Sequence, residues 1–181
     1  MATNILDLSH LQLLLVDDNA YMRALVPSIL NNLGSRRMKL AKDGASGLQV
    51  LKEFPIDIVF VNWMMRPIDG IEFTRTLRTA SDSPNPMLPV IMVSAHTEPH
   101  RVAAARNAGV TEFLSKPVSP REIYLKVEEV ILRPRQFVKT KIFHGPDRRR
   151  LDDSDYEGPY RRKTDDATTA SETATAPDAV E

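Results

Sequence analysis

Five residues with chemistry to offer stand directly after apolar runs. Asp17 and Asp18 close LQLLLV (11–16), and Asn62 closes IDIVFV (56–61). Ser94 follows VIMV (90–93), and Lys116, with Pro117 behind it, follows TEFLS (111–115). Two carboxylates, an amide, a hydroxyl and an ammonium can hold and neutralise charge if the fold brings them together. Asn62 is the odd member. The stretch VFVNWMM (59–65) places a neutral amide where a strand runs out, and an amide is a far poorer nucleophile than a carboxylate. Each residue also has a plainer use. Asp17 and Asp18 can cap a helix, Asp69 reads as a helix cap outright, and Trp63, Met64 and Met65 read as core and loop residues. The four histidines, His10, His96, His100 and His144, lack metal-ligand spacing. The chain has no cysteine, which excludes disulfides, thiolate catalysis and cysteine zinc sites and fits a reducing compartment.

Positioning these groups requires a sheet. The runs 11–16, 56–61 and 90–93 are continuously apolar, whereas 38–41 and 111–115 are less so. Between them lie helix patterns. Residues 20–33 repeat Met22, Val26, Ile29 and Leu33 near a 3.6 period and stop at Gly34, although Pro27 predicts a kink or a late start. A second helix covers 44–54 and is broken by Pro55. Asp69 with Glu72 opens a third, to about Thr79, and 81–89 is a loop. Thr97-Glu98-Pro99 opens a fourth that ends at Gly109. Ser119-Pro120-Arg121-Glu122 is the strongest start in the chain, and Ile123, Val127, Val130 and Ile131 give that last helix a core-facing stripe. Strict alternation of strand and helix calls for an α/β fold, a doubly wound five-stranded parallel sheet. The most apolar strands belong at its centre, giving the order 2-1-3-4-5. Ligands of such sheets bind beyond the carboxyl ends of the strands, where all five candidates stand.

Composition bounds the rest. Lys plus Arg and Asp plus Glu both number 24 in 181 residues, so no global field favours nucleic acid or membrane. The N-terminal apolar run is far too short to span a bilayer, and a cytoplasmic location is the default. Beyond residue 133 the character changes. Residues 134–144 form a basic and apolar extension that could add to a sheet edge, grip a partner or touch a membrane surface. Residues 145–181 read as a disordered polar tail. The tail contains GPDRRRLDD (145–153) and GPYRRKTDD (158–166), a repeated GPxRR unit whose basic triplets are each followed closely by an acidic pair. That pairing largely cancels a phosphate-binding field.

LLLVDD (13–18), NWMMRPIDG (62–70), MVSA (92–95) and FLSKP (113–117), in this order and after these strands, resemble the receiver domain of bacterial two-component response regulators, in the stand-alone, chemotaxis-receiver style. The resemblance covers roughly residues 10–133. It implies a flavodoxin-like receiver fold and the following roles. Asp17 and Asp18 hold Mg²⁺, with the Met64 backbone carbonyl as a further ligand. Ser94 bonds a phosphoryl oxygen and Lys116 pairs with the phosphate, its bond to Pro117 being cis. Phe113, with Ser94, reports the switch. Such groups suit the chemistry, because Mg²⁺ wants hard oxygens and phosphoryl transfer needs its equatorial charge neutralised. Two departures matter. The position matching the phosphoacceptor aspartate is Asn62, from which no stable acyl phosphate forms, and the loss of one of three acidic groups around the metal means that Mg²⁺ binding is expected to be weak or absent. Arg66 also stands where the family usually has proline, and Pro67 follows it.

The expected function is that of a single-domain receiver in a phosphorelay. It acts by protein–protein contact through residues 96–132 and is not phosphorylated at position 62. Its partners would be a histidine kinase or phosphotransfer protein and a downstream protein target. The family catalyses only its own phosphorylation and dephosphorylation, and with Asn62 that activity is expected to be lost, so no enzyme activity is expected. The alternative is an ordinary Mg²⁺-dependent receiver whose acceptor aspartate was replaced by Asn62, through engineering or recent change. A DNA-binding regulator using the arginine-rich tail ranks lowest, because the tail is short, charge-balanced and without a helix–turn–helix pattern.

Overall fold

A computed structural model describes residues 6–140 and 143–147. Five strands, β1 (Gln12–Val16), β2 (Arg37–Ala41), β3 (Ile58–Asn62), β4 (Val90–Ser94) and β5 (Glu112–Ser115), form one parallel sheet. Their order is β2-β1-β3-β4-β5, with the three most apolar strands at the centre as expected. Five helices connect or follow them: α1 (Ala20–Asn32), α2 (Gly44–Glu53), α3 (Gly70–Thr79), α4 (Pro99–Ala108) and α5 (Pro120–Leu132).

Side chains alternate across a strand, so a sheet covered on both faces needs apolar residues at every position of its central strands. Every residue of β3 and β4 is buried, as are Leu13 to Val16 of β1. One face collects Leu14, Val16, Val59, Val61, Val90 and Met92 against Phe73 and Leu77 of α3, Leu51 of α2 and Ala105 of α4. The other collects Leu13, Leu15, Ile58, Phe60, Ile91 and Val93 against Met22, Val26 and Leu30 of α1 and Ile123, Val127 and Val130 of α5. Each fully buried side chain of this size contributes about 2 kcal/mol. At the β2 edge Leu40 is half exposed, as an edge strand allows.

Local chemistry sets the helix starts. The Asn19 side chain accepts from Tyr21 N and caps α1, which runs unbroken through Pro27. The late start expected from that proline is therefore overturned, because the buried stripe Met22, Val26, Ile29 and Leu30 carries the helix across the missing N–H. Asp69 caps α3 at Glu72 N, and Ser119 with Glu122 forms the expected capping box of α5. Asp43 and Ser46 form a further box at α2 that the sequence reading did not single out.

The segment after α5 does not join the sheet edge. Strands β6 (Phe137–Lys139) and β7 (His144–Pro146) make a separate antiparallel hairpin. Gly145 and Pro146 were expected to begin a disordered tail. Here they are buried strand residues, and the reason is steric. A Cβ on Gly145 would come within 2.8 Å of Gly109 Cα. Gly109 itself has φ +95°, a left-handed conformation that favours glycine, and a Cβ there would press on Arg78 and the His144 carbonyl at 3.0 Å. Arg78 is the hub of this contact. It is 2% exposed, and its Nε and Nη2 donate to the Gly109 carbonyl at 3.1 and 3.0 Å. Its Nη1 donates to the Pro86 carbonyl at 2.8 Å, and Phe137 lies 5.1 Å from the guanidinium. His144 Nδ1 sits 2.7 Å from the Arg78 carbonyl. Burial pulls the Arg78 pKa down to about 9. A second tie is ionic: buried Glu112 of β5 meets Lys126 of α5 at 2.7 Å and Arg135 of the extension at 2.5 Å. The repeated GPxRR unit from Arg148 onward lies outside the described residues.

Candidate functional site

The carboxyl ends of β1, β3 and β5 bring Asp17, Asp18, Asn62 and Lys116 into one polar cluster. Asp17 is set by the strand that precedes it and the helix that follows. Its N donates to the Ala41 carbonyl, its Oδ1 accepts from Asn19 N at 2.9 Å, and Arg23 donates to its carbonyl at 2.7 Å. The Asp17 side chain is wholly buried, and Lys116 Nζ reaches its Oδ2 at 3.1 Å. Lys116 is aimed by its own N–H, which donates to the Ser94 carbonyl at 2.8 Å, and its peptide bond to Pro117 is cis. The Arg66–Pro67 bond is cis as well, which the sequence reading did not anticipate.

Asn62 is the centre of the cluster. It is the last residue of β3, opposite Val93, and is 8% exposed. Its Oδ1 accepts from Lys116 Nζ at 3.1 Å. Its Nδ2 donates to Asp18 Oδ1 at 3.0 Å and to the Met64 carbonyl at 2.9 Å. The partners fix which amide atom points where, since an ammonium only donates and a carbonyl only accepts. Lys116 therefore keeps an anionic partner, Asp17, although position 62 carries no charge. Around Asn62 the chain is tightly drawn. Trp63 N donates to the Val93 carbonyl and Gly70 N to the Trp63 carbonyl. A Cβ at Gly70 would lie 2.4 Å from the Asn62 carbonyl oxygen, so α3 can begin here only on glycine.

Ser94 and Phe113, also expected members, stand apart from the hydrogen bonds of Asn62. Ser94 is buried, and its Oγ accepts from His96 N at 3.0 Å, tying it to the loop before α4 rather than to Asn62. Phe113 packs edge-on to Trp63, with ring centroids 6.4 Å apart. Arg101 of α4, which no motif singled out, lies over the same indole at 5.8 Å. Met64 is 56% exposed and contributes its backbone carbonyl, and Arg66 is exposed. Among the described residues no group of three or more His, Cys, Asp or Glu is placed to hold a metal ion.

A doubly wound sheet of this order, with acids after β1, a polar residue ending β3 and a lysine with a cis-proline after β5, defines a class of signalling module. The response regulator receiver domain family model matches residues 13–128, and the chain belongs to that family. Among curated relatives, chemotaxis protein CheY-3 of Vibrio cholerae is 30% identical over 124 residues, covering 68% of this chain and 94% of the relative. Chemotaxis protein CheY of Pseudomonas aeruginosa is 30% identical over 123 residues, covering 68% and 98%. Among solved structures, CheY4 of Vibrio cholerae superposes with a TM-score of 0.62 at 25% identity, over 67% of this chain and 98% of that one. The receiver domain of a Pseudomonas aeruginosa sensor histidine kinase, whose cleft coordinates a magnesium ion, shares the fold with a TM-score of 0.59 at 23% identity, over 66% and 95%. The chain is thus a CheY-like receiver of two-component signalling, a signalling module rather than an enzyme in the ordinary sense. No helix among the described residues is long and apolar enough to cross a membrane.

Proposed function

We propose that this receiver works in a phosphorelay by contact with partner proteins and is not phosphorylated at residue 62. The observation that carries this reading is the bonding of Asn62, whose amide nitrogen, not a carboxylate oxygen, faces Asp18 and Met64. Aspartyl phosphate forms when a carboxylate oxygen attacks phosphorus, and a carboxamide supplies no such nucleophile. Asp17, Asp18, Phe113, Ser94 and Lys116 keep the crevice of a receiver without its acceptor. The partners are a histidine kinase or phosphotransfer protein on one side and a downstream protein target on the other, docking on the face of residues 96–132, in the cytoplasm. Residues 134–144 and the tail after them serve as an appendage to that module.

The fit to Mg²⁺ is poor. A divalent cation here would need oxygens from Asp18 and the Met64 carbonyl, and both already accept from the Asn62 amide. Asp17 is engaged by Lys116. Two acids, each with a partner, replace the set of three that a hard cation would draw on. Mg²⁺ binding is accordingly weak or absent.

Phosphotransfer from acetyl phosphate or a cognate kinase tests the reading. The expected result is no acyl phosphate on this chain and a labile one on Asn62→Asp. Stable labelling at residue 62 of the unsubstituted chain overturns it. The retained Asp17–Lys116 pair favours the second reading, a phosphorylatable receiver that has lost only its acceptor. Full recovery of phosphotransfer by the single Asn62→Asp change supports that history, and failure of both forms makes the crevice a structural relic.

A further inference from the structure

We infer that the Asn62 carboxamide takes the place of the divalent cation itself, so that the crevice of this receiver is held together without metal and becomes metal-dependent only when the amide is made a carboxylate. The inference rests on the reading that residue 62 is not a phosphate acceptor, and it concerns what the amide does instead. A cation in a receiver crevice would draw in oxygens that otherwise repel one another. Here the Nδ2 hydrogens do that work, joining Asp18 Oδ1 at 3.0 Å to the Met64 carbonyl at 2.9 Å. Asp18 lies between β1 and α1, and Met64 lies between β3 and α3. The Oδ1 of the same amide holds Lys116, which follows β5 and also pairs with buried Asp17. One neutral side chain therefore ties three loops of the crevice.

The geometry also shows what a carboxylate would do. An aspartate in the same rotamer replaces Nδ2 by an oxygen facing two acceptor oxygens at these distances, with no hydrogen between them. Repulsion of that kind is relieved by turning the side chain away or by placing a cation among the oxygens. Removing the amide altogether leaves the Asp18 carboxylate and the Met64 carbonyl without this donor in either condition. The three side chains thus predict three distinct responses to metal.

Trp63 reports them. It is the only tryptophan of the chain, is 8% exposed and adjoins Asn62. The full chain, Asn62→Asp and Asn62→Ala are compared by Trp63 fluorescence during Mg²⁺ titration and by thermal unfolding in EDTA and in millimolar Mg²⁺. The unsubstituted chain is expected to show no saturable fluorescence change and the same midpoint in both buffers. Asn62→Asp is expected to unfold several degrees lower in EDTA, to regain that loss in Mg²⁺, and to titrate saturably, because a ligand that binds only the folded state raises its stability. Asn62→Ala is expected to be lowered equally in both. Saturable Mg²⁺ binding by the unsubstituted chain at the affinity of Asn62→Asp overturns the inference, and that arm needs no variant to fold. So does an Asn62→Ala midpoint equal to that of the unsubstituted chain. Acetyl phosphate labelling separates the two readings. A labelled but metal-indifferent unsubstituted chain sinks the function proposed above alone, and a metal-binding but unlabelled one sinks this inference alone.

Discussion

Lys116 and Asp17 show how much of the crevice survives at the scale of single residues. The Asp17 carboxylate is wholly buried, and its side-chain partners are Lys116 Nζ at 3.1 Å and the backbone N of Asn19 at 2.9 Å. Truncating one member of a buried ion pair leaves the other desolvated without compensation. Lys116→Met is therefore expected to lower stability by about 3 kcal/mol in urea unfolding. A loss within a few tenths of a kilocalorie would mean that Asp17 is satisfied from elsewhere. The residue types at these positions were legible in the sequence, because each follows an apolar run that can only be a strand. The bonds of Asn62 were not, since which way an amide faces is decided by Lys116 and Met64, distant from it in role if not always in sequence. Arg101 was invisible for a similar reason: nothing in its neighbours along the chain announces that it will lie over Trp63.

Elements place these residues through their ends. At α2 the Asp43 side chain accepts from Ser46 N at 2.7 Å, and that bond, with the Ser46 side chain, holds the Asp43 carboxyl below its ordinary value of 3.8. A carboxylate with a depressed folded pKa adds stability above its unfolded pKa and loses it as pH falls through the folded one. Asp43→Ala is thus expected to cost about 1 kcal/mol at neutral pH and progressively less below about pH 4. Chemical denaturation at neutral and acid pH gives the check, and a pH-independent difference would assign the loss to helix propensity instead. The capping boxes contrast in legibility. Ser119-Pro120-Arg121-Glu122 announces itself, whereas Asp43 and Ser46 flank glycine and alanine in KDGASG, which reads equally well as a turn. The hairpin was still harder to see. Gly145 and Pro146 break regular structure in most settings, and they form a strand here by pairing with Val138 and Phe137, with Gly145 packed close to Gly109.

Over the whole molecule, burial is steeply graded from centre to edge. Strands β1, β3 and β4 are sealed on both faces, while β6 and β7 are three residues each and pair only with one another. Native-state hydrogen exchange is expected to be slowest at Leu14, Val59, Phe60 and Met92 and faster by orders of magnitude at Val138 and Lys139, since local opening follows buried contacts. Equal protection would mean that the hairpin unfolds only with the sheet. The strand order was legible because three apolar runs separated by helices admit few parallel arrangements, while the appendage was not, because its contacts join Arg78, Gly109 and Glu112 to residues far along the chain. The Gly109 contact has a mechanical consequence. Helix α4 is pinned at its Gly109 end by Arg78 and the hairpin, while its other end, at Glu98, has no side-chain cap. Its ten residues make a rod about 15 Å long, so a tilt of about 10° about the pinned end swings the free end by roughly 2.5 Å. That uncapped end carries Arg101 over Trp63, so a tilt of α4 about Gly109 would register at the indole beside Asn62.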